Sequence, residues 1–280
     1  MFRRDLIKKY IDRGFSQVDA ASEVDFAFEI IAGLTQNDIL LGREPTDVKK
    51  AEISSCIGQR LSTSAPIQQI LGKAFFMGDV FEVTKDTLIP RPETEILVRE
   101  AIKIVKDNKM TKVLDIGTGS GCIAIEIAKN LPEVEVLSVD ISSNAIDVAK
   151  KNACNIGVSD RVSFLKSDIF SNVFEKFDLI VSNPPYIPLS EKLNLQSEVL
   201  NFEPHSALFT EDLEGIDFYR KIIEKSCEYI NTGGYIAFEL GMNQAGMVKD
   251  FFIKNNFYEV KIIKDLDNIE RVTLARCNIS

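Results

Sequence analysis

Residues 177–186 read Phe-Asp-Leu-Ile-Val-Ser-Asn-Pro-Pro-Tyr, an apolar run that ends on an asparagine and two consecutive prolines. A short, mostly apolar run of this kind is typical of a strand that is buried on both faces of a parallel sheet. Pro184 and Pro185 cannot extend the strand, because proline has no backbone N–H and fixes its own φ near about −65°. The stretch therefore predicts a buried strand over 177–183 that runs into a stiff loop.

The end of this strand offers hydrogen-bond acceptors in a rigid arrangement. Because a proline restricts the residue before it to extended conformations, Asn183 and Pro184 are held in place. The Asn183 side-chain oxygen and the Pro184 carbonyl can each accept one N–H from a planar NH2 group, and Tyr186 can stack on its face. Asn183, Pro184, Pro185 and Tyr186 are therefore candidate catalytic and substrate-binding residues. For an isolated Pro-Pro pair, a strand that simply ends at prolines is the commoner explanation.

The composition excludes several classes of protein. The 280 residues, 45% hydrophobic, are typical of a globular chain of about two domains. No apolar run reaches the roughly 18 residues of a membrane span, and the start of the chain is charged, so we expect a cytoplasmic protein without a membrane segment. One histidine and five scattered cysteines predict no Cys/His metal site. The net charge of −9 argues against broad nucleic-acid binding, and we expect a monomer.

The first part of the chain carries helical periodicity. Apolar residues recur at three- and four-residue spacing over 5–15, 22–34, 35–41 and 47–61, and Thr35-Gln36-Asn37-Asp38 resembles a capping box. Residues 1–72 are therefore predicted to form a helical domain, which serves either as scaffold or as a docking site for a protein substrate. Residues 73–89 predict a β-hairpin linker around Gly78. A helix is expected to follow through Val105, with Pro92 in its first turn.

Residues 90–280 are predicted to form an α/β domain. Strands are expected at 112–117, 135–140, 161–166, 177–183 and 234–240, and helices at 120–130, 143–156, 215–230 and 243–255. This alternation is typical of a mostly parallel, Rossmann-like sheet with helices on both faces. Two final strands, 259–264 and 271–276, are joined by a short loop and are expected to pair as an antiparallel hairpin.

A glycine-rich loop follows the first of these strands, where residues 115–121 read Asp-Ile-Gly-Thr-Gly-Ser-Gly. Glycines let the backbone turn tightly and bring N–H groups against a ligand. The spacing G-x-G-x-G differs from the G-x-G-x-x-G of dinucleotide sites, so the loop alone discriminates weakly. The candidate cofactor-binding residues here are Asp115, Gly117, Thr118, Gly119, Ser120 and Gly121.

Acidic residues close the next two strands. Asp140 can accept hydrogen bonds from both ribose hydroxyls of a nucleoside, and Asp168 with Ile169 is placed to meet an adenine. A turn-forming role explains Asp168 equally well. Together with Asn183, these positions fall at the carboxyl ends of parallel strands, where open α/β sheets bind ligands. An acceptor clamp beside a nucleoside site indicates methyl transfer from S-adenosylmethionine to nitrogen.

With these motifs in this order, the chain resembles the amino and amide methyltransferases. Three further stretches narrow the resemblance: Leu88–Glu95 with its Pro-Arg-Pro-Glu-Thr-Glu, Phe202–Leu208, and Asn268–Val272. They resemble the bacterial N(5)-glutamine methyltransferases that act on peptide chain release factors, the PrmC or HemK family. The resemblance covers about residue 66 to the end of the chain.

The resemblance implies an S-adenosylmethionine-dependent enzyme that methylates the glutamine in the Gly-Gly-Gln motif of class I release factors. A relative that methylates a glutamine of a ribosomal protein shares the catalytic motifs and remains an alternative. An N6-adenine DNA methyltransferase shares Asn-Pro-Pro-Tyr, but this acidic chain shows no basic recognition domain. The alternatives thus differ in the acceptor rather than in the cofactor.

Overall fold

The protein, described here for residues 1–278 from a computed structural model, is a mixed α/β chain. Its α-helices are α1 Phe2–Ile11, α2 Gln17–Ala32, α3 Gln36–Leu40, α4 Asp47–Thr63, α5 Ile67–Leu71, α6 Thr94–Asn108, α7 Cys122–Asn130, α8 Ser143–Ile156, α9 Ser197–Phe202, α10 His205–Leu208, α11 Asp217–Ser226 and α12 Ala245–Lys254. Its strands are β1 Lys73–Phe76, β2 Asp79–Glu82, β3 Lys112–Ile116, β4 Glu135–Asp140, β5 Val162–Lys166, β6 Phe177–Ser182, β7 Ile187–Pro188, β8 Phe209–Thr210, β9 Ile230–Glu239, β10 Phe257–Lys264 and β11 Glu270–Cys277. A 3-10 helix spans Leu189–Asn194.

The chain divides into two compact units. The first comprises Met1–Lys73 together with Gln196–Phe202, and the second comprises Ala74–Leu195 and the chain from Glu203 onward. The sequence did not indicate that α9 belongs with the N-terminal helices. Among residues 1–278, no helix combines the length and the apolar character that a membrane span requires.

The first unit is a set of helices around its own apolar core. The core residues recur at helical spacing, because each helix turns one apolar face inward; the most buried are Leu6, Tyr10, Ala20, Val24, Ala27, Phe28, Ile53, Ile57 and Ile67. The capping box at Thr35 and Asp38 is confirmed. Helix α2 begins five residues before the predicted start, because the Ser16 side chain caps it by accepting from the Asp19 N–H at 3.1 Å.

One charged side chain is buried in this unit. Arg60 of α4 is 1% exposed, and it donates to both carboxylate oxygens of Glu23, at 2.8 and 2.9 Å. It also donates to Glu198 of α9 at 2.7 Å. A buried charge is tolerated only when it is paired, so this triad holds α9 to the N-terminal helices.

The second unit is built on a seven-stranded sheet, in the order β10-β11-β9-β6-β3-β4-β5 within the described chain. The five strands from β9 to β5 are parallel, and β10 and β11 form the predicted antiparallel hairpin. The Rossmann-like fold class predicted from the sequence is confirmed. Strand order reverses between β3 and β6, and such a switch point is where ligands bind in sheets of this kind.

Each face of this sheet is covered by its own apolar layer. On one face α6, α7 and α8 pack around residues such as Leu97, Ile125 and Ala153. On the other face α11 and α12 pack around residues such as Tyr219, Ile222 and Phe252. Strand β6 contributes alternately to both layers, Leu179 to the first and Ile180 to the second, which explains its continuous apolar run.

Some predicted boundaries were wrong. Helix α6 begins at Thr94, so Pro92 precedes the helix instead of lying in its first turn. Strand β9 begins at Ile230, four residues before the predicted start, because Gly233 and Gly234 lie inside it without ending the ladder. The predicted β-hairpin is present as β1 and β2, and all of it except Lys73 belongs to the second unit. The short elements between residues 187 and 210 were not predicted.

Candidate active site

A cavity of about 920 Å³ lies in the second unit at the carboxyl ends of the parallel strands. It is lined by residues that follow β3, β4, β5 and β6, and by residues from the stretches before α6 and around α10 and α11. The predicted site residues on its wall are Gly117, Thr118, Gly119, Ser120, Asp140, Asp168, Ile169, Asn183, Pro184 and Pro185. Three other predicted site residues, Asp115, Gly121 and Tyr186, are not among the described residues that line the cavity.

The glycine loop is fixed between two strands and a helix. The N–H groups of Gly117 and Thr118 donate to the Val139 carbonyl of β4, at 2.8 and 3.0 Å. Behind the loop, the buried Asn152 side chain of α8 donates to the Ser120 carbonyl at 2.8 Å and to the Glu82 carbonyl at 2.9 Å. The loop is therefore held in one conformation from both sides, with its cavity face open to a ligand.

Asp115 lies beneath the glycine loop, fully buried. The Ser138 hydroxyl donates to its Oδ2 at 2.7 Å and contacts the Thr118 hydroxyl, while Asp115 Oδ1 has no protein partner in the described chain. Burial raises the pKa of this carboxyl to about 7, although the hydroxyls of Ser138 and Thr118 oppose the shift. Asp115 thus orders the loop, and its direct contact with a cofactor stays a prediction.

Asp140 closes β4 with both carboxylate oxygens engaged by backbone. Oδ2 accepts from the Gly119 N–H at 2.9 Å, and Oδ1 accepts from the Ser142 N–H at 2.8 Å. Each oxygen keeps a second lone pair, because a carboxylate has about four acceptor sites. The cavity-facing carboxylate is thereby oriented and still able to accept two hydroxyl groups.

Asp168 and Ile169 also line this cavity. The Asp168 N–H donates to the Ser171 hydroxyl at 3.0 Å, and Ile169 has a φ of 50°. A positive φ is uncommon for a β-branched residue and marks a tightly turned backbone. Ile169 and Phe170 line the cavity, as does Ile141, and these side chains contribute an apolar part of its lining.

Asn183 follows β6 directly, and the neighbouring strand β9 ends at Glu239. In the register of the two strands Ser182 pairs with Phe238, so Asn183 and Glu239 are the next residues on adjacent parallel strands. Asn183 Nδ2 donates to Thr94 Oγ1 at 3.3 Å, and Thr94 Oγ1 donates to Glu239 Oε2 at 2.6 Å. These contacts leave the Asn183 side-chain oxygen as the atom available to a ligand in the cavity.

Glu239 was missed in the sequence analysis. Its side chain is buried, and burial raises its pKa to about 7; hydrogen bonds from Thr94 and Asn183 and the charge of Arg271 oppose that shift, while Glu93 adds to it. The signal was the same as for Asp140, an acidic residue at the end of an apolar strand. Glu239 can be assigned to the site only when it is known that β9 lies next to β6 in the sheet.

Tyr186 is placed differently from the prediction that it faces the reacting groups. Its ring lies against Gly241, where an added Cβ would come within 2.9 Å of Tyr186 Cδ2. Its carbonyl accepts from the buried Gln244 Nε2 at 2.9 Å, and the same amide donates to the carbonyls of Glu214 and Gly215. Burial raises the pKa of the Tyr186 hydroxyl above its ordinary value. In the structure, Tyr186 anchors the loop that carries Asn183.

Comparison with known proteins identifies the family. The methyltransferase small domain family matches residues 93–201. The release factor glutamine methyltransferase of Fusobacterium nucleatum is 36% identical over 91% of this chain and 72% of its own length. The enzyme of the same name from Bacteroides thetaiotaomicron is 36% identical over 96% of this chain and 98% of its own length. The chain belongs to the release factor glutamine methyltransferase family.

This membership confirms the resemblance seen in the sequence motifs. A solved methyltransferase from Pyrococcus furiosus shares the fold, with a TM-score of 0.53 at 18% identity over 84% of this chain and all of that one. At that identity the likeness concerns the fold alone. Within residues 1–278, no cluster of three or more His, Cys, Asp or Glu side chains is arranged to hold a metal ion.

Proposed function

We propose that this chain transfers the methyl group of S-adenosylmethionine to the side-chain amide nitrogen of the glutamine in the Gly-Gly-Gln motif of class I peptide chain release factors. The observation that carries the proposal is the Asn183 amide at the cavity wall, with its NH2 group donating to Thr94 and its oxygen left for an acceptor NH2. Family membership supports the choice of cofactor and of acceptor.

The residues of the cavity fit the cofactor. The Asp140 carboxylate suits the two ribose hydroxyls, the turn at Ile169 and Phe170 provides an apolar wall for adenine, and the glycine loop lets the ligand approach the backbone. Asp115 does not line the cavity and supports the glycine loop through the Ser138 hydroxyl, so its part in holding the cofactor is indirect. Bound S-adenosylmethionine supplies an electrophilic methyl group on a sulfonium.

The chain's own residues then orient the nucleophile. An amide nitrogen is weakly nucleophilic, because its lone pair is delocalised into the carbonyl. Asn183 Oδ1 and the Pro184 carbonyl accept its two N–H groups and aim the nitrogen at the methyl group, and such positioning contributes up to roughly 7–11 kcal/mol. As the nitrogen attacks, its N–H groups become more acidic, so both acceptors bind the transition state more strongly than the ground state. The departing proton leaves to water.

The acceptor is tested by incubating the protein with methyl-labelled S-adenosylmethionine and one of three substrates: a class I release factor, ribosomal protein, or duplex DNA. We expect label only in the release factor, and none in a variant release factor whose Gly-Gly-Gln glutamine is replaced by alanine. Label in the ribosomal protein alone would favour the ribosomal-protein alternative. Label in DNA alone would refute a protein substrate.

We further infer that the protein acts as a cytoplasmic monomer and does not bind nucleic acid directly. The net charge of −9 supports the last point, because phosphate binding needs basic patches. Light scattering coupled to size-exclusion chromatography should give the mass of one 31.4 kDa chain. A mass twice as large would contradict the monomer.

A further inference from the structure

Thr94, on the cavity wall, and the buried Glu239 form a short hydrogen-bond chain with the Asn183 amide. We propose that Glu239 and Thr94 are positioning residues that fix which way round the Asn183 amide points, and that they thereby make the site select an NH2 group as acceptor. The proposal rests on the proposed function and deepens it. It assigns Glu239 and Thr94 no contact with the reacting atoms.

The orientation of this amide decides what the site can bind. An asparagine side chain has an acceptor oxygen on one side and a donor NH2 on the other, and the two ends have nearly the same shape. With the oxygen toward the cavity, Asn183 accepts an N–H of the substrate. After a flip, its own NH2 would face the substrate NH2, two donors would meet, and the acceptor nitrogen would lose its partner.

The geometry determines the orientation through Thr94, and Glu239 adds to it by accepting a hydrogen bond from Asn183 itself. A threonine hydroxyl has one hydrogen, and Thr94 donates it to Glu239 Oε2 at 2.6 Å, so its oxygen has only lone pairs left for Asn183. The partner at 3.3 Å must then be the NH2 end of the amide, which is Asn183 Nδ2. An ionised Glu239 accepts hydrogen bonds only, and this property sets the direction of the whole chain of hydrogen bonds.

Glu239 itself cannot easily move. Its backbone carbonyl accepts from the hydroxyl of the fully buried Tyr219 at 2.9 Å, and the same hydroxyl accepts from the Gly241 N–H at 3.3 Å. Thr94 is the first residue of α6, held by its helix. Both positioning side chains therefore lie on rigid elements, and the loop residue Asn183 takes its orientation from them.

In the test, Thr94→Val and Glu239→Gln nearly keep the side-chain volume and remove the hydroxyl or the charge, and Thr94→Ser is the control that keeps the hydroxyl. We expect Thr94→Val to lower kcat about 10- to 100-fold and Thr94→Ser, which keeps the hydroxyl, to stay within about threefold of wild type. Glu239→Gln should lower kcat at least about tenfold as a second, independent route. The affinity for S-adenosylmethionine should change less than about threefold in each variant, because none of these side chains is assigned to the cofactor.

The same substitutions are repeated in an Asn183→Ala background, where there is no amide left to orient. We expect Thr94→Val to cause less than about a twofold further loss there, since residues that act as a unit are not additive. An equal loss in both backgrounds would show that Thr94 acts independently of Asn183 and would overturn the proposal. So would a Thr94→Ser variant as impaired as Thr94→Val.

A readout that needs no activity separates this proposal from the proposed function. In protein labelled with ¹⁵N-asparagine, the Asn183 side-chain NH2 signal is identified by its loss in Asn183→Ala. We expect its hydrogens to exchange with solvent at least about tenfold faster in Thr94→Val and unchanged in Thr94→Ser. Unchanged exchange in Thr94→Val would overturn the positioning role. If the exchange rates differ as expected but no release factor is labelled, the proposed function is refuted and the positioning role of Thr94 and Glu239 stands.

Discussion

At the scale of single residues, Asn183 is the side chain on which catalysis is expected to depend most. Asn183→Ala should lower turnover with the release factor at least about 100-fold, because it removes one transition-state hydrogen bond and the orientation of the amide. Cofactor affinity should stay nearly unchanged. Steady-state kinetics and calorimetry check the two parts. A variant that kept more than about a tenth of wild-type turnover, a deficit below about 1.4 kcal/mol, would contradict the role of Asn183.

Asp140 is expected to affect cofactor binding, both as an acceptor for the ribose hydroxyls and through its hydrogen bond from Gly119 in the glycine loop. Asp140→Ala should weaken binding of S-adenosylmethionine at least tenfold, since hydrogen bonds to a charged group contribute about 1.5–3 kcal/mol each. Asp147→Ala is the matched control, because Asp147 is an exposed aspartate of the adjacent helix α8 and does not line the cavity. Calorimetry compares the two. If Asp140→Ala bound S-adenosylmethionine as tightly as wild type, Asp140 would have a structural role only.

Glu239 predicts how activity depends on pH. Burial raises its pKa from the ordinary 4.5 to about 7, and the aligned hydrogen bonds require the ionised form, so kcat at saturating cofactor should fall as pH drops below about 7. The charged and titratable groups that interact with this carboxyl are Glu93, Arg271, Tyr186, Tyr219 and Cys122. Glu239→Gln should remove the acidic limb of the profile. A limb that persists in that variant would belong to another group, such as Asp115.

Residues of the site differed in how readily the sequence revealed them. Asn183, Asp140 and the glycines lie at the ends of strands that their own apolar runs predict, so their place at one edge of the sheet followed from the fold class. Glu239 lies 56 positions after Asn183, and only the strand order makes the two neighbours. Tyr186 was placed by its aromatic character, whereas its backbone contact with Gln244 determines where it lies.

At the scale of elements, the glycine loop meets α8 where α7 begins. Gly121 has a φ of +85°, and an added Cβ would lie 2.9 Å from Ile125 Cδ1 and 3.0 Å from Ala149 Cβ. Gly121→Ala should therefore lower the free energy of unfolding by about 1–3 kcal/mol, from backbone strain and overpacking together. Urea denaturation of the cofactor-free protein measures the change.

Gly246→Ala is the control for that substitution. Gly246 lies in helix α12 without a positive φ, and an added Cβ there meets no atom within 4 Å. Alanine should raise the free energy of unfolding by up to about 1 kcal/mol, since it restricts the unfolded chain and favours helix. Opposite signs for the two glycines are expected, and an equal effect would contradict the close approach of α7 and α8 at Gly121.

The elements themselves were predictable in proportion to their length. Strands such as β4 and β6 and helices such as α8 were predicted nearly to their ends, because burial on a sheet or on a helix face leaves a periodic pattern over several turns or pleats. Some elements are too short to show such a pattern, namely the two-residue strands β7 and β8 and the helices α9 and α10. Their pairing depends on contacts between distant residues, and no local signal carries it.

At the scale of the whole molecule, the chain leaves the first compact unit after Lys73 and enters it again for α9 before completing the second. The N-terminal helices therefore hold a segment that follows the Asn-Pro-Pro-Tyr loop by about ten residues. Arg60 provides the contact, with hydrogen bonds to Glu23 of its own helices and to Glu198 of α9. A single buried guanidinium thus connects two distant parts of the sequence.

Arg60→Leu should lower the free energy of unfolding by about 3 kcal/mol, because it leaves two carboxylates without a partner. This is the low end of the range for a broken buried pair, since the Glu23 and Glu198 side chains keep 19% and 32% of their exposure. Amide hydrogens of residues 196–202 should exchange faster, while those of β3 should not. Arg43→Leu is the control: its ion pair with Asp38 is on the surface, with the Arg43 side chain 66% exposed, and its loss should cost less than about 1 kcal/mol. If residues 196–202 stayed as protected in Arg60→Leu as in Arg43→Leu, the guanidinium would not be what holds α9 in the first unit, and apolar contacts would have to account for its place there.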